Sequence, residues 1–91
     1  MINKSVRVVN RLGLHARPSA MFVSHASKYK SEISVERDTL KVNGKSIMGV
    51  MMLAAEMGSE LIITADGEDE NQALEDLVEL VKGGFGDLKN L

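Results

Sequence analysis

Gly13-Leu14-His15-Ala16-Arg17-Pro18-Ser19 is the stretch on which the fold turns. Before it, Ile2 to Val9 favours a strand through Val6, Val8 and Val9. After it, Ala16 to Tyr29 carries a helical stripe of Ser19, Phe22, Val23 and Ala26. Asn10 to Gly13 breaks the strand, and Gly13 lets the chain bend closely. Pro18 fits a first helical turn, where its missing N–H costs little. The stretch therefore joins a strand to a helix, with His15 at the junction. A helix start offers backbone N–H groups and the positive end of the macrodipole, which together suit phosphate. His15 adds a nucleophilic ring nitrogen beside that anion site, and Arg17 a guanidinium for phosphoryl oxygens. The plainer alternative is that His15 caps the helix or is exposed by chance.

Working outward, Glu32 to Arg37 alternates cleanly. Ile33 and Val35 point one way; Glu32, Ser34 and Glu36 point the other. Asp38-Thr39 is a tight turn and Leu40 to Val42 a short return strand. Asn43-Gly44 turns the chain again. Ser46 to Met57 reads as a second helix, with Ser46 as N-cap and Gly58 as terminator. Val50, Leu53, Ala54 and Met57 form its core stripe, which leaves Ile47, Met48 and Met51 on another face. Exposed Met and Ile there, joined by Ala20 and Met21 of the first helix, suggest a partner-docking patch. Glu60 to Ala65 is a fourth strand, and Asp66-Gly67 a turn. Asp69 with Gln72 resembles a capping box. Leu74, Leu77, Val78 and Val81 line a third helix that Gly83-Gly84 ends. Phe85 to Leu91 reads as a loosely held tail. The order β-α-β-β-α-β-α, with amphipathic helices and half-polar strands, predicts an α+β fold with helices on one face of an antiparallel sheet. One domain over residues 1–91 is expected, with its core in 1–82 and a tail at 83–91.

Composition narrows the function. At 44% hydrophobic and 26% charged, the 91 residues are ordinary for a globular protein. Absence of Cys excludes disulfides and thiolate chemistry. Two separated histidines without clustered carboxylates predict no metal, and no other cofactor is expected. A net charge of −2, one Tyr and no Trp argue against nucleic acid. No stretch has the length of a membrane span and no signal peptide is visible, so a cytoplasmic protein is expected. His25, mid-helix and off the apolar stripe, reads as a solvated surface histidine.

Gly13-Leu14-His15-Ala16-Arg17-Pro18 resembles the active-site signature of the HPr family, the histidine-containing phosphocarriers of the bacterial phosphoenolpyruvate-dependent sugar phosphotransferase system. Lys45-Ser46-Ile47-Met48-Gly49 resembles that family's regulatory serine segment. Length and element order agree over roughly residues 1–82. The resemblance implies an open-faced β-sandwich: a four-stranded antiparallel sheet of order 1-4-2-3 with three helices on one face. It implies a monomeric phosphocarrier rather than an enzyme. Enzyme I would phosphorylate Nδ1 of His15, and phospho-His15 would pass the group to an enzyme IIA. Arg17 and the backbone N–H groups of Ala16 and Arg17 would hold the phosphoryl group. Ser46 would be the target of an HPr kinase/phosphorylase. Ala20, Met21, Ile47, Met48 and Met51 would receive the partners.

A phosphate on Ser46 would sit at the positive end of its helix, so it should alter binding rather than unfold the chain. Three positions depart from the family pattern. Ser19 stands where alanine is common, with a hydroxyl expected to bond back to the helix. Ser24 and Ser27 stand where some enteric members carry lysine, which weakens steering of acidic partners. The open alternatives are a nitrogen-branch or purely regulatory phosphocarrier, and a small-ligand-binding α+β regulatory domain in which His15 is incidental. The combined expectation is that both helix starts open onto one surface.

Overall fold

A computed structural model describes residues 1–86. Its elements are β1 (Ile2–Arg7), α1 (Ala16–Ala26), β2 (Glu32–Arg37), β3 (Leu40–Asn43), α2 (Ile47–Met52), β4 (Glu60–Asp66) and α3 (Glu70–Lys82). The strands form one sheet of order β1-β4-β2-β3, with every neighbouring pair antiparallel. The expected α+β architecture and strand order are both present.

Side-chain alternation explains why the helices take one face. Val6 lies opposite Leu61, Ile33 opposite Ala65, and Val35 opposite Ile63. All six are buried, and together they floor the core. The other parity puts Ser5, Ile62, Thr64, Ser34 and Glu36 on an open face. α3 lies on β1 and β4, α2 beside β3, and α1 across α2 and α3. The helices close the core with Phe22, Ala26, Val50, Leu53, Leu77 and Val81.

Four local expectations fail, two of them because a distant partner intervenes. The first helix stops at Ala26 rather than Tyr29: Lys28 and Tyr29 bond three residues back, to the carbonyls of His25 and Ala26, each at 3.2 Å. The second helix stops at Met52, not Met57. Ala54 adopts a left-handed φ of 47° and is exposed; Met57 is exposed as well, and Ala55 takes the buried place. The competing bonds are tertiary. Leu14 donates to the Ala55 carbonyl at 2.9 Å, Gly58 to the Val8 carbonyl at 2.7 Å, and Val8 to the Ser59 carbonyl at 2.8 Å. They draw residues 55–59 along the end of β1, so Gly58 (φ 93°) serves that extension instead of ending a helix.

The capping box at Asp69 also fails. Asp69 occupies the N-cap of α3 but makes no side-chain cap bond. Its carboxylate accepts instead from the Lys30 N–H at 2.9 Å, the Ser31 N–H at 3.0 Å and the Ser31 hydroxyl. The Ser31 hydroxyl and these amides hold it below the usual carboxylate range. Glu70 takes over at the helix start and accepts the Gly67 N–H at 3.1 Å. Finally, Phe85 is no tail residue. Gly84 turns at φ 66°, and Phe85 returns to the core with 1% of its surface exposed. The remainder of the expected tail, residues 87–91, lies outside the described residues.

Burial of that ring sets a test. Phe85→Ala should reduce unfolding free energy by about 3–5 kcal/mol, as for other buried aromatic truncations. Denaturant unfolding measures it; a change within about 0.5 kcal/mol would mark Phe85 as a surface residue.

Candidate functional site

The loop that presents His15 is fixed by four bonds. The buried Asn10 donates from Nδ2 to the Gly13 carbonyl at 2.8 Å. Gly13 returns its N–H to the Asn10 carbonyl at 3.2 Å, and Leu14 donates to Ala55. The buried Ser19 hydroxyl donates to the Leu14 carbonyl at 3.0 Å. Ser19 thus bonds back to the loop before α1, where the sequence suggested the helix itself. Gly13 has φ +66°, and a Cβ there would lie 2.2 Å from the Ala55 carbonyl oxygen. Only glycine satisfies both the dihedral and that approach.

His15 is the N-cap of α1, with φ −77° and ψ −169°, and its side chain makes no cap bond. The capping alternative is therefore excluded. The ring is half-buried; Nε2 is covered and has no hydrogen-bond partner among the described residues. Leaving such an atom unpaired costs about 1–3 kcal/mol, and functional sites are where that cost is tolerated.

The helix mouth lies directly beyond. Pro18 has no N–H, and Ser19 donates its own to the His15 carbonyl at 3.0 Å. The amides at the opening are therefore those of Ala16 and Arg17. No acidic residue occupies the first turn. Arg17 is exposed, and its Nη1 donates to Met21 Sδ at 3.2 Å, one turn along α1.

Ser46 behaves as the sequence predicts for an N-cap. Its Oγ accepts the Gly49 N–H at 3.1 Å. The turn before it is tied to β2 by Gly44 donating to the Ile33 carbonyl at 2.8 Å. Lys45 Nζ donates to the Tyr29 carbonyl at 2.7 Å, just past the C-terminal end of α1. The opposite end of α2 is held near His15 by the Leu14–Ala55 bond. The two helices therefore run antiparallel, and their starts sit at opposite ends of the pair rather than side by side.

Between those ends, Ile47, Met48 and Met51 are exposed, as is Ala20; Met21 is half-buried. Leu12, Met52 and Met57 are exposed apolar side chains as well, which the sequence reading did not include. Met57 fits the core stripe only if α2 runs to Gly58, and it ends at Met52. Met52 lay off the stripe and carried the same signal as Met48. Leu12 had no sequence signal beyond its place in the loop.

His25 is corrected too. It is half-buried, with Nδ1 2.9 Å from Asp76 Oδ1. The Tyr29 hydroxyl donates to Asp76 Oδ2 at 2.6 Å. The cluster clasps α1 to α3 across 51 residues of chain. Burial raises the Asp76 pKa, but bonds from Tyr29 and His25 and the charges of His25 and Lys28 outweigh it and leave the group below its ordinary value. Bonding to Asp76, then burial, pushes Tyr29 up to about 12.

Residues 2–83 match the family described as the PTS HPr component phosphorylation site. The phosphocarrier protein HPr of Neisseria meningitidis serogroup A is 47% identical over 87 residues, covering 96% of this chain and 98% of its own. HPr from Thermoanaerobacter tengcongensis superposes with a TM-score of 0.91 at 46% identity, covering 94% of this chain and 97% of that one. Crh, a Bacillus subtilis catabolite-repression protein solved as a swapped dimer, gives 0.75 at 45% identity, with coverages of 92% and 97%. Fold and matches together define the class as a phosphocarrier protein, which carries a group rather than catalysing a reaction. The chain belongs to the HPr family.

Two outcomes follow from this geometry. Gly13→Ala should destabilise the fold by at least about 1–3 kcal/mol, because strain and overlap with Ala55 act together; a midpoint shift in thermal unfolding reads it. Tyr29 is the single tyrosine and there is no Trp, so tyrosinate absorbance titrates it alone. Its midpoint should fall near 12, and Asp76→Asn should bring it toward the ordinary 10.0. The signs are opposite for the two partners: the stability linked to neutral Tyr29 is lost as pH rises toward 12, and that linked to ionised Asp76 is lost as pH falls through its lowered pKa.

Proposed function

We propose that this chain carries phosphoryl groups on His15 in sugar uptake. It takes them from enzyme I, itself charged by phosphoenolpyruvate, and delivers them to an enzyme IIA. The observation that carries this reading is a histidine at the start of α1 whose ring is free of any capping bond and whose Nε2 is covered. Nδ1 is then the nitrogen that meets the incoming group. Its lone pair forms the N–P bond as the donor's bond to phosphorus breaks, and the reverse step hands the group on. The Ala16 and Arg17 amides receive phosphoryl oxygens at the helix mouth. The Arg17 guanidinium exchanges a thioether sulfur, a weak acceptor, for charged oxygens.

Partners dock on Ala20, Met21, Ile47, Met48 and Met51. Ser46 is the regulatory site, phosphorylated by an HPr kinase/phosphorylase. Its Oγ already points at the Gly49 amide, so a phosphate there keeps the cap while adding a dianion beside the docking face. The chain acts as a single-domain cytoplasmic monomer, with no nucleic acid, metal or cofactor involved. Among the described residues no helix is long and apolar enough to cross a membrane.

A second reading is a regulatory carrier uncoupled from transport, favoured by the likeness to Crh. A histidine with an uncapped ring at a helix start supports the transfer role, since regulation through Ser46 alone does not need one.

Incubation with phosphoenolpyruvate and enzyme I should label the chain with acid-labile, base-stable phosphate. The label should vanish in His15→Ala and persist in His25→Ala, and Arg17→Ala should slow transfer about 10- to 100-fold. An unlabelled wild type would end the carrier reading. ATP with the kinase should add acid-stable phosphate that Ser46→Ala abolishes.

A further inference from the structure

The chain contains six methionines and no cysteine. None of the six belongs to the buried core. Met48, Met52, Met57 and Met51 are exposed by 76%, 66%, 59% and 42%. They lie on α2 and on the segment after it, whose Ala55 carbonyl holds the His15 loop. Met21 lies on α1, which packs against α2, with its Sδ on the Arg17 guanidinium. Methionine is ordinarily a core filler, so the gathering of four exposed ones on α2 and just after it calls for an explanation.

We infer that this face is a reversible oxidation site: peroxide converts its methionines to sulfoxides without unfolding the chain, and the oxidised face no longer receives the phosphate donor. This rests on the carrier reading above. In each event a thioether sulfur attacks one peroxide oxygen. The S–O bond forms, the O–O bond breaks, sulfur loses two electrons and the second oxygen leaves as water. Without thiols in the chain, thioethers are its oxidisable sulfur. The product is polar and chiral, and it must be desolvated before an apolar contact can reform. The core escapes because the four exposed thioethers of Met48, Met51, Met52 and Met57 lie outside it, Met21 alone being packed against it, and this separates the event from damage. Oxidation of Met21 would act on the phosphate site itself, because a sulfoxide oxygen is a stronger acceptor for the Arg17 guanidinium than the thioether it replaces.

The test treats the purified chain with hydrogen peroxide and maps added oxygen by peptide mass spectrometry. Met48, Met52 and Met57 should oxidise first, then Met51, with the thermal unfolding midpoint unchanged. Phosphate acceptance from enzyme I should fall about tenfold, the scale of one lost hot-spot contact. Methionine sulfoxide reductases should restore it. A variant with Met21→Leu, Met48→Leu, Met51→Leu, Met52→Leu and Met57→Leu should keep its own untreated rate after the same exposure. Sulfoxides formed at an unaltered transfer rate would overturn the inference alone, as would a rate loss that tracks loss of the thermal transition. An untreated chain that accepts no phosphate would remove the carrier reading and this inference with it.

Discussion

The contact between Gly13-Leu14 and Ala55 holds the arrangement together. Gly13 lies so close to the Ala55 carbonyl that a Cβ would come within 2.2 Å of the oxygen. The next residue, Leu14, donates its N–H to that same oxygen. One backbone oxygen therefore sets two elements. On one side it pins the loop that ends in His15, one residue further on, and so fixes where α1 begins. On the other it takes Ala55 out of helical bonding and limits α2 to six residues. An α2 extended to Met57 would turn that carbonyl back along its own axis and leave the loop unsupported. The left-handed Ala54 is the local strain accepted for this, of order 1 kcal/mol for a residue with a Cβ.

What was legible in the sequence divides along the range of the interactions. Periodicity of two placed Ile33 and Val35 on the inner face of one strand and Leu61, Ile63 and Ala65 on that of another, because strand burial repeats locally. Ser46 was legible as an N-cap because its acceptor bond reaches only three residues. The α3 stripe was legible for the same reason. The failures involve partners that no local pattern encodes. Asp69 has a capping partner within reach yet bonds residues 38 and 39 positions away. His25 looked solvated because Asp76 is 51 positions distant. Phe85 looked like a tail because an aromatic after two glycines carries no period. At the candidate site, the residue types around His15 were legible, but not the state of its ring. That ring's freedom from capping depends on φ, ψ and the Ala55 contact, none of which a motif states.

The placement of the two helix starts bears on how Ser46 could govern His15. α1 has 11 residues and so spans about 16 Å. With α1 and α2 antiparallel, charges at His15 and Ser46 are separated by a distance of that order. Exposed charges so far apart are largely screened, the Debye length being about 10 Å at 0.1 M salt. Direct repulsion between two phosphates is therefore a weak means of control. The exposed face of α2 lies between the two starts, and a partner that spans it meets both. A dianion at the Ser46 end would be desolvated under such a partner, or opposed by its carboxylates, before His15 comes within reach. On the proposed role of Ser46, control would then operate on who docks rather than on the reactivity of the imidazole, and the antiparallel helix pair would make that separation possible.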